Sequence, residues 1–273
     1  MKKIIHLSLV VIMFSSCDLI VSAVDSIKTI SREAKKQETK KQEEVKKENQ
    51  VIYKQPKNGV KKYKYENGNI KSIVTFKDGK KVGVSNTFYK SGEKQYDIPY
   101  QDGKKHGKVI WYYKSGKVYR ETDYKLGKKD GYQRKYWESG NLKSEMVYKD
   151  NMLSTGLKEI NNSNKLKSTP KILVDKIDRV KTSGEYILRF RLSNGRKKVV
   201  YYIGELIEGK YFPADAKGFG ELPSKNGIAE YKFKVGKGTQ LIKNVKLIAI
   251  ESTSYQNKRV LSVSEQISVR NPQ

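Results

Sequence analysis

Apolar and polar positions alternate with a period of two through the middle of the chain. Ile70, Ser72, Val74 and Phe76 alternate with residues such as Lys71, and Val118, Arg120, Thr122 and Tyr124 alternate with residues such as Glu121. Leu142, Ser144, Met146 and Tyr148 repeat the pattern around Lys143. A two-residue period predicts strands with one buried and one wet face. The strands are broken by Asn-Gly, Ser-Gly and Asp-Gly pairs, where glycine accepts the positive φ of a hairpin turn. Gly59, Gly83, Gly107 and Gly131 open successive units of 24 residues, and Gly68, Gly92, Gly116 and Gly140 follow nine residues later. Four copies at one interval predict an array of β-hairpins, each burying its core against its neighbours.

Two aromatic columns follow the same interval, Tyr65, Tyr89, Tyr113 and Trp137, then Phe76, Tyr100, Tyr124 and Tyr148. They are expected to stack as the core of the array. The alternative is a stacking platform for sugars or bases.

Tyr112 to Gly116 (Tyr-Tyr-Lys-Ser-Gly), Phe88 to Gly92 (Phe-Tyr-Lys-Ser-Gly) and Tyr63 to Gly68 (Tyr-Lys-Tyr-Glu-Asn-Gly) are each followed by a glycine-lysine turn. These motifs resemble the MORN-type repeat variant of bacterial proteins, including those labelled the YwqK antitoxin family. The resemblance covers residues 59 to 156 and implies a sheet of hairpins serving as an accessory or binding module. The fourth copy departs from the pattern, with Asn151 in place of the turn glycine.

Lys2 and Lys3 precede an apolar run from Ile4 to Phe14, which at eleven residues is too short to span a bilayer as a helix. Phe14-Ser15-Ser16-Cys17 resembles a lipobox, and Cys17 is the single cysteine of the chain. The resemblance implies that residues 1–16 are a lipoprotein signal peptide and that Cys17 carries acyl chains, palmitate among them. It places the protein in the bacterial cell envelope, exported and lipid-anchored. The alternative is an ordinary cleaved signal with an incidental cysteine. Residues 17–52 are dominated by charged and amide side chains, which predicts a tether, helical in part or disordered.

Residues 53–157 are then the repeat domain, 158–170 a polar linker around Asn161-Asn162-Ser163-Asn164, and 171–273 a second β-domain. In that last segment Tyr186, Leu188, Phe190 and Leu192 alternate with Ile187, Arg189 and Arg191, and Ala229, Tyr231, Phe233 and Val235 with Glu230, Lys232 and Lys234. About seven short strands with Asn-Gly turns predict an immunoglobulin-like sandwich. The fold class is all-β throughout, apart from the tether.

Charge changes the picture next. Fifty-seven basic against 29 acidic residues leave +28, an excess that attracts polyanions. It is spread along the chain instead of gathered in one groove, which disfavours nucleic acid as a partner. The sharper feature is a candidate anionic-ligand ridge of Lys80, Lys81, Lys104, Lys105, Lys128 and Lys129, two per turn in three successive units, recurring about every 10 Å along one sheet edge. The alternative is that these lysines only keep the turns soluble. No nucleophile elbow, phosphate-cradling loop, dinucleotide fingerprint or metal-ligand spacing is present in the sequence, so no catalytic residue, metal site or cofactor is expected. The expectation is a non-enzymatic, membrane-anchored lipoprotein presenting both domains to a protein or envelope polymer. The alternatives are a peripheral module lying on anionic lipid, and, from the family label, an antitoxin or immunity protein.

Overall fold

The fold comes from a computed structural model that describes residue 33, residues 35–39 and residues 57–273. Residues 1–16, expected as a signal peptide, Cys17 and most of the expected tether lie outside the described residues. The chain divides into two compact units, Met1–Gln55 and Pro56–Gln273. In the first, residues 33 and 35–39 are helical. All that follows concerns the second.

The repeats form β1 (Gly59–Lys64), β2 (Ile70–Lys77), β3 (Lys80–Phe88), β4 (Lys94–Gln101), β5 (Lys104–Lys105), β6 (Gly107–Tyr112), β7 (Val118–Lys125), β8 (Lys128–Tyr136) and β9 (Leu142–Lys149). All pair antiparallel with their neighbours in chain order, β5 being a short pairing on β4 beside β6. The ladder is bulged at the same place in each copy, at Tyr63/Lys64, Thr87/Phe88, Trp111/Tyr112 and Lys135/Tyr136. A bulge re-aims the chain into the turn that follows. There the Tyr65 N–H donates to Asn69 O (2.9 Å) and the Gly68 N–H back to Tyr65 O (3.0 Å), and the same pair of bonds recurs at Tyr89, Tyr113 and Trp137.

The sheet does not stop at the fourth copy. β10 (Met152–Ser154) and β11 (Lys158–Glu159) both pair with β9. Beyond them the Asn161 N–H donates to Lys165 O and the Asn164 N–H to Asn161 O, both at 3.0 Å. That is the repeat turn once more, 24 residues after Trp137, with Asn164 at φ 58° where the earlier copies use glycine. The segment expected as a linker is therefore the first half of a fifth unit. Asparagine tolerates the left-handed conformation almost as glycine does, so the turn persists after its sequence signature is gone.

The C-terminal strands are β12 (Ile172–Arg179), β13 (Glu185–Leu192), β14 (Val199–Ile203), β15 (Tyr211–Phe212), β16 (Gly220–Leu222), β17 (Ser224–Lys225), β18 (Ile228–Lys234), β19 (Gln240–Ser252) and β20 (Lys258–Arg270). Two four-stranded antiparallel sheets, β12-β13-β18-β17 and β16-β14-β19-β20, enclose a core of Leu188, Phe190, Tyr201, Leu247 and Ala249. Lettered as in an immunoglobulin domain, these are A-B-E-D facing C′-C-F-G. Tyr201 on strand C fills the centre of the core and donates its hydroxyl to Gly227 O at 2.8 Å.

Expected as separate domains, array and sandwich share one hydrophobic cluster. β15 leaves the sandwich and pairs with β10, extending the repeat sheet. Met146 and Tyr148 of β9, with Leu153 and Leu157, pack against Ile248, Ile250 and Val260 of the sandwich. β19 is thus apolar on both faces, Leu247 and Ala249 facing the sandwich core and Ile248 and Ile250 the array.

Candidate functional site

The six lysines of the expected ridge take two environments. The turns that carry them are Asp78-Gly79, Asp102-Gly103 and Leu126-Gly127, which share with the fourth turn, Asp150-Asn151, a positive φ at both central residues, the geometry that matches the twist of a two-residue hairpin. The Gly103 N–H donates to Lys81 O (2.9 Å), Gly127 to Lys105 O (2.8 Å) and Asn151 to Lys129 O (2.9 Å), so each turn is bonded to the one before. Asn151 therefore does the glycine's work in the fourth copy, and its Oδ1 also accepts from the Lys129 N–H at 2.8 Å. Lys80, Lys104 and Lys128 are exposed, with Lys128 placed 3.3 Å from Asp150. Lys81, Lys105 and Lys129 fold inward, their ammonium groups 5.2, 5.1 and 4.7 Å from the ring centres of Tyr100, Tyr124 and Tyr148. Burial, with the Arg120 and Lys105 charges, pulls the Lys129 ammonium below the usual lysine value. Three lysines, one per turn, form the exposed row.

The first aromatic column is joined by hydrogen bonds along the array. Tyr65 donates its hydroxyl to Phe88 O (2.8 Å), Tyr89 to Tyr112 O (2.7 Å) and Tyr113 to Tyr136 O (2.9 Å), and the Trp137 indole donates to Ile160 O (3.2 Å). Each ring ties its unit to the next by the same reach of 23 residues. The second column is the one covered by the inward lysines.

A third row, which keeps the repeat spacing but changes residue type from copy to copy, crosses the strands. Register places Tyr63, Ser72, Thr87, Tyr96, Trp111, Arg120, Lys135, Ser144 and Glu159 opposite one another in turn. Tyr96 stacks on Trp111 (5.2 Å between centres) and Arg120 lies 4.9 Å from the same indole. The row ends under the sandwich. Lys135, 4% exposed, donates to the carbonyls of Tyr255 and Gln256, both at 3.1 Å, in the loop between β19 and β20. Burial, reinforced by the Arg120 and Lys143 charges, brings its ammonium from 10.5 down to about 8. Trp137 meets Tyr255 edge to face at 5.3 Å, and the Lys143 ammonium sits 4.1 Å from the Trp137 ring centre.

Beside this contact lies a buried ionic network. Arg259 donates to Glu251 Oε2 (2.7 Å) and to Glu159 Oε2 (3.1 Å), and both carboxylates are 1% exposed. Glu159 Oε1 also accepts from Thr253 (2.6 Å) and Asn257 (2.7 Å), and Glu251 Oε1 from Asn194 (3.0 Å) and Arg196 (3.3 Å). Buried carboxylates persist only when charge and lone pairs are both satisfied. The network ties the array (Glu159), the β13–β14 loop (Asn194, Arg196) and the β19–β20 loop (Thr253, Asn257) into one frame.

Between those two loops opens a cleft of about 770 Å³, lined by Asn194 to Lys198, Ser252 to Ser254, Gln256, Asn257 and Lys258. Arg196, Lys197, Lys198 and Lys258 are its charged residues, and no carboxylate, aliphatic or aromatic side chain is in the lining. The loops are those that cluster at the binding end of a variable immunoglobulin domain.

Residues 57–78, 105–126 and 129–150 match the family model described as the MORN repeat variant. These hairpins are MORN-variant repeats. The second copy falls outside the matched segments but folds alike, with the Tyr89 N–H donating to Glu93 O and Gly92 to Tyr89 O. No curated protein matches the chain.

The sequence pattern places all six lysines on the repeat turns but shows neither the inward fold of Lys81, Lys105 and Lys129 nor the cleft. Its signal was the run Arg196-Lys197-Lys198 directly after an Asn-Gly turn, opposed by the hydroxyl run Ser252 to Ser254. Glu159, Glu251 and Arg259 left no signal, because each sits in a strand pattern like the chain's other charges and Glu159 lies far from the other two in sequence.

Proposed function

We propose that the protein is a non-enzymatic binding scaffold, exported and held at a membrane of the cell envelope through acylated Cys17, whose MORN array and sandwich present one continuous surface to a partner protein or envelope polymer. The observation that carries this reading is the fusion of the two modules. β15 extends the repeat sheet, a hydrophobic cluster joins them, and Lys135 and Glu159 of the array hold the sandwich loops. A repeat array anchored in this way serves as a rigid spacer and a platform, which is the usual employment of quasi-one-dimensional folds. The lysine excess supports a negatively charged neighbour.

The test combines location with capture. Metabolic labelling with a tagged palmitate, followed by membrane fractionation, is expected to label the wild-type chain and leave Cys17→Ser unlabelled and soluble. Cross-linking in cells is expected to capture the same partner with either chain, more weakly from the soluble one. An unlabelled wild-type chain in the soluble fraction would remove the anchor. Sedimentation of Cys17→Ser with anionic vesicles at about 0.15 M salt, with release at higher salt, would favour lipid contact through Lys80, Lys104 and Lys128 over a protein partner.

A further inference from the structure

We propose that the cleft between the β13–β14 and β19–β20 loops is a binding site for clustered phosphate groups. This deepens the scaffold reading, on which it rests, by naming one site and its ligand chemistry.

The lining decides the class of ligand. Small-molecule sites of this volume are mostly apolar, and apolar burial supplies most of their affinity. Here no aliphatic or aromatic side chain lines the wall, and its apolar surface belongs to side chains that end in cationic, hydroxyl or amide groups. Selectivity therefore comes from charge and hydrogen bonds. The cleft faces Lys197, Lys198 and Lys258, and Lys167 reaches Ser254 Oγ at 3.1 Å. Two carboxylates lie beneath the wall, Glu251 and Glu159, both buried and both already accepting from Arg259 and from neighbouring side chains. The four cationic side chains of the lining then leave a net positive surface. The Arg196 guanidinium is turned onto Glu251 through Nε at 3.3 Å, a single bond that leaves its terminal N–H groups for a ligand. A guanidinium fork beside three lysine ammonium groups suits the several oxygens and high charge density of clustered phosphates.

The site is also built in advance. Asn194 Oδ1 accepts from the Arg196 N–H (3.1 Å) while its Nδ2 donates to Glu251, fixing the β13–β14 loop. Gly227 backs that loop so closely that a Cβ there would lie 2.4 Å from Arg196 O. Lys135 and the Glu159 bonds from Thr253 and Asn257 fix the opposite wall. A ligand meets charges whose loops are already ordered, which reduces the entropy lost on binding.

The test is calorimetric titration of the full chain with sodium tripolyphosphate at about 0.15 M salt. Saturable binding at one site is expected, and Lys197→Ala/Lys198→Ala should weaken it about tenfold, since it removes two of the four cationic side chains of the lining. Both residues are exposed, so an unchanged melting temperature is expected and is checked alongside. Lys80→Ala/Lys104→Ala removes the same charge from the array turns and should leave affinity within about twofold. Equal weakening by both double variants would overturn the proposal in favour of diffuse attraction, and equal affinity for citrate would overturn the phosphate assignment. Competition by phosphatidic acid vesicles would identify a lipid headgroup as the source, and its absence with tripolyphosphate still bound would identify a soluble or polymeric phosphate. Failure to bind tripolyphosphate while cross-linked partner capture persists would sink this site and leave the scaffold standing.

Discussion

Replacing Arg259 by methionine should cost more stability than any exposed substitution in the sandwich. The guanidinium compensates two carboxylates at once, Glu251 at 2.7 Å and Glu159 at 3.1 Å, and all three groups are at least 95% buried. Glu251 would keep Arg196 at 3.3 Å, whereas Glu159 would be left with the neutral donors Thr253 and Asn257 alone. Removing one partner of a buried pair costs about 3–5 kcal/mol, because the remaining charge is uncompensated in low dielectric. With one carboxylate partly retained and the other stranded, a loss of about 4 kcal/mol is expected. Urea unfolding followed by tryptophan fluorescence and circular dichroism measures it. The two tryptophans, Trp111 and Trp137, lie in the array, and Trp137 touches Tyr255 of the loop that the network supports, so its emission also reports the joint between the modules. Neutralising the stranded groups, as Glu159→Gln/Glu251→Gln/Arg259→Met, should recover a substantial part of the loss. A loss below about 1 kcal/mol, or a triple variant no more stable than Arg259→Met, would refute the idea that charge compensation holds this frame.

Three further outcomes are expected. Lys135 titrates in the fold near 8 against 10.5 when unfolded, so its charge opposes folding below about pH 8 and that cost is relieved as the pH rises toward 10.5. Wild-type stability relative to Lys135→Met should therefore climb between about pH 8 and 10, by at most about 3 kcal/mol and less as the two carbonyl bonds offset part of it; a flat difference in urea titrations across that range would contradict it. Leu126 sits at φ 49° with its side chain exposed, where the other three turns carry aspartate, so Leu126→Asn should stabilise by about 0.5–1 kcal/mol, visible as a higher melting temperature. Gly227→Ala should lose about 2 kcal/mol or more because its Cβ would strike Arg196 O, whereas Gly116→Ala, with open space around it and a similar φ, should lose only about 1 kcal/mol. Equal losses at the two glycines would mean that only backbone strain matters.

The repeats were legible because everything that defines them is local: two-residue alternation, turn glycines and a spacing that keeps each turn in register with the next. The fifth half-unit was not legible, since Asn161 and Asn164 preserve the hydrogen bonds of Trp137 and Gly140 without preserving their residue types. The sandwich strands were legible from alternation on β13 and β18. The second buried face of β19 was hidden, because a continuous apolar run reads as a buried strand without saying what covers each side. β15, at two residues, is too short to leave a periodic signal.

By itself, then, the sequence determined an all-β chain with an array of 24-residue hairpins, a sandwich after it and a strong positive charge. These follow from backbone geometry and from side-chain alternation over a few residues, where neighbours in sequence are neighbours in space. Tertiary structure decided which charges are buried and which lysines remain exposed. Glu159 and Arg259 meet across 100 residues and Lys135 reaches a loop 120 residues away, while half of the expected lysine ridge turns inward onto tyrosines of the following unit. Whether a charged side chain is solvated or desolvated depends on what packs over it, and that partner comes from a distant part of the chain.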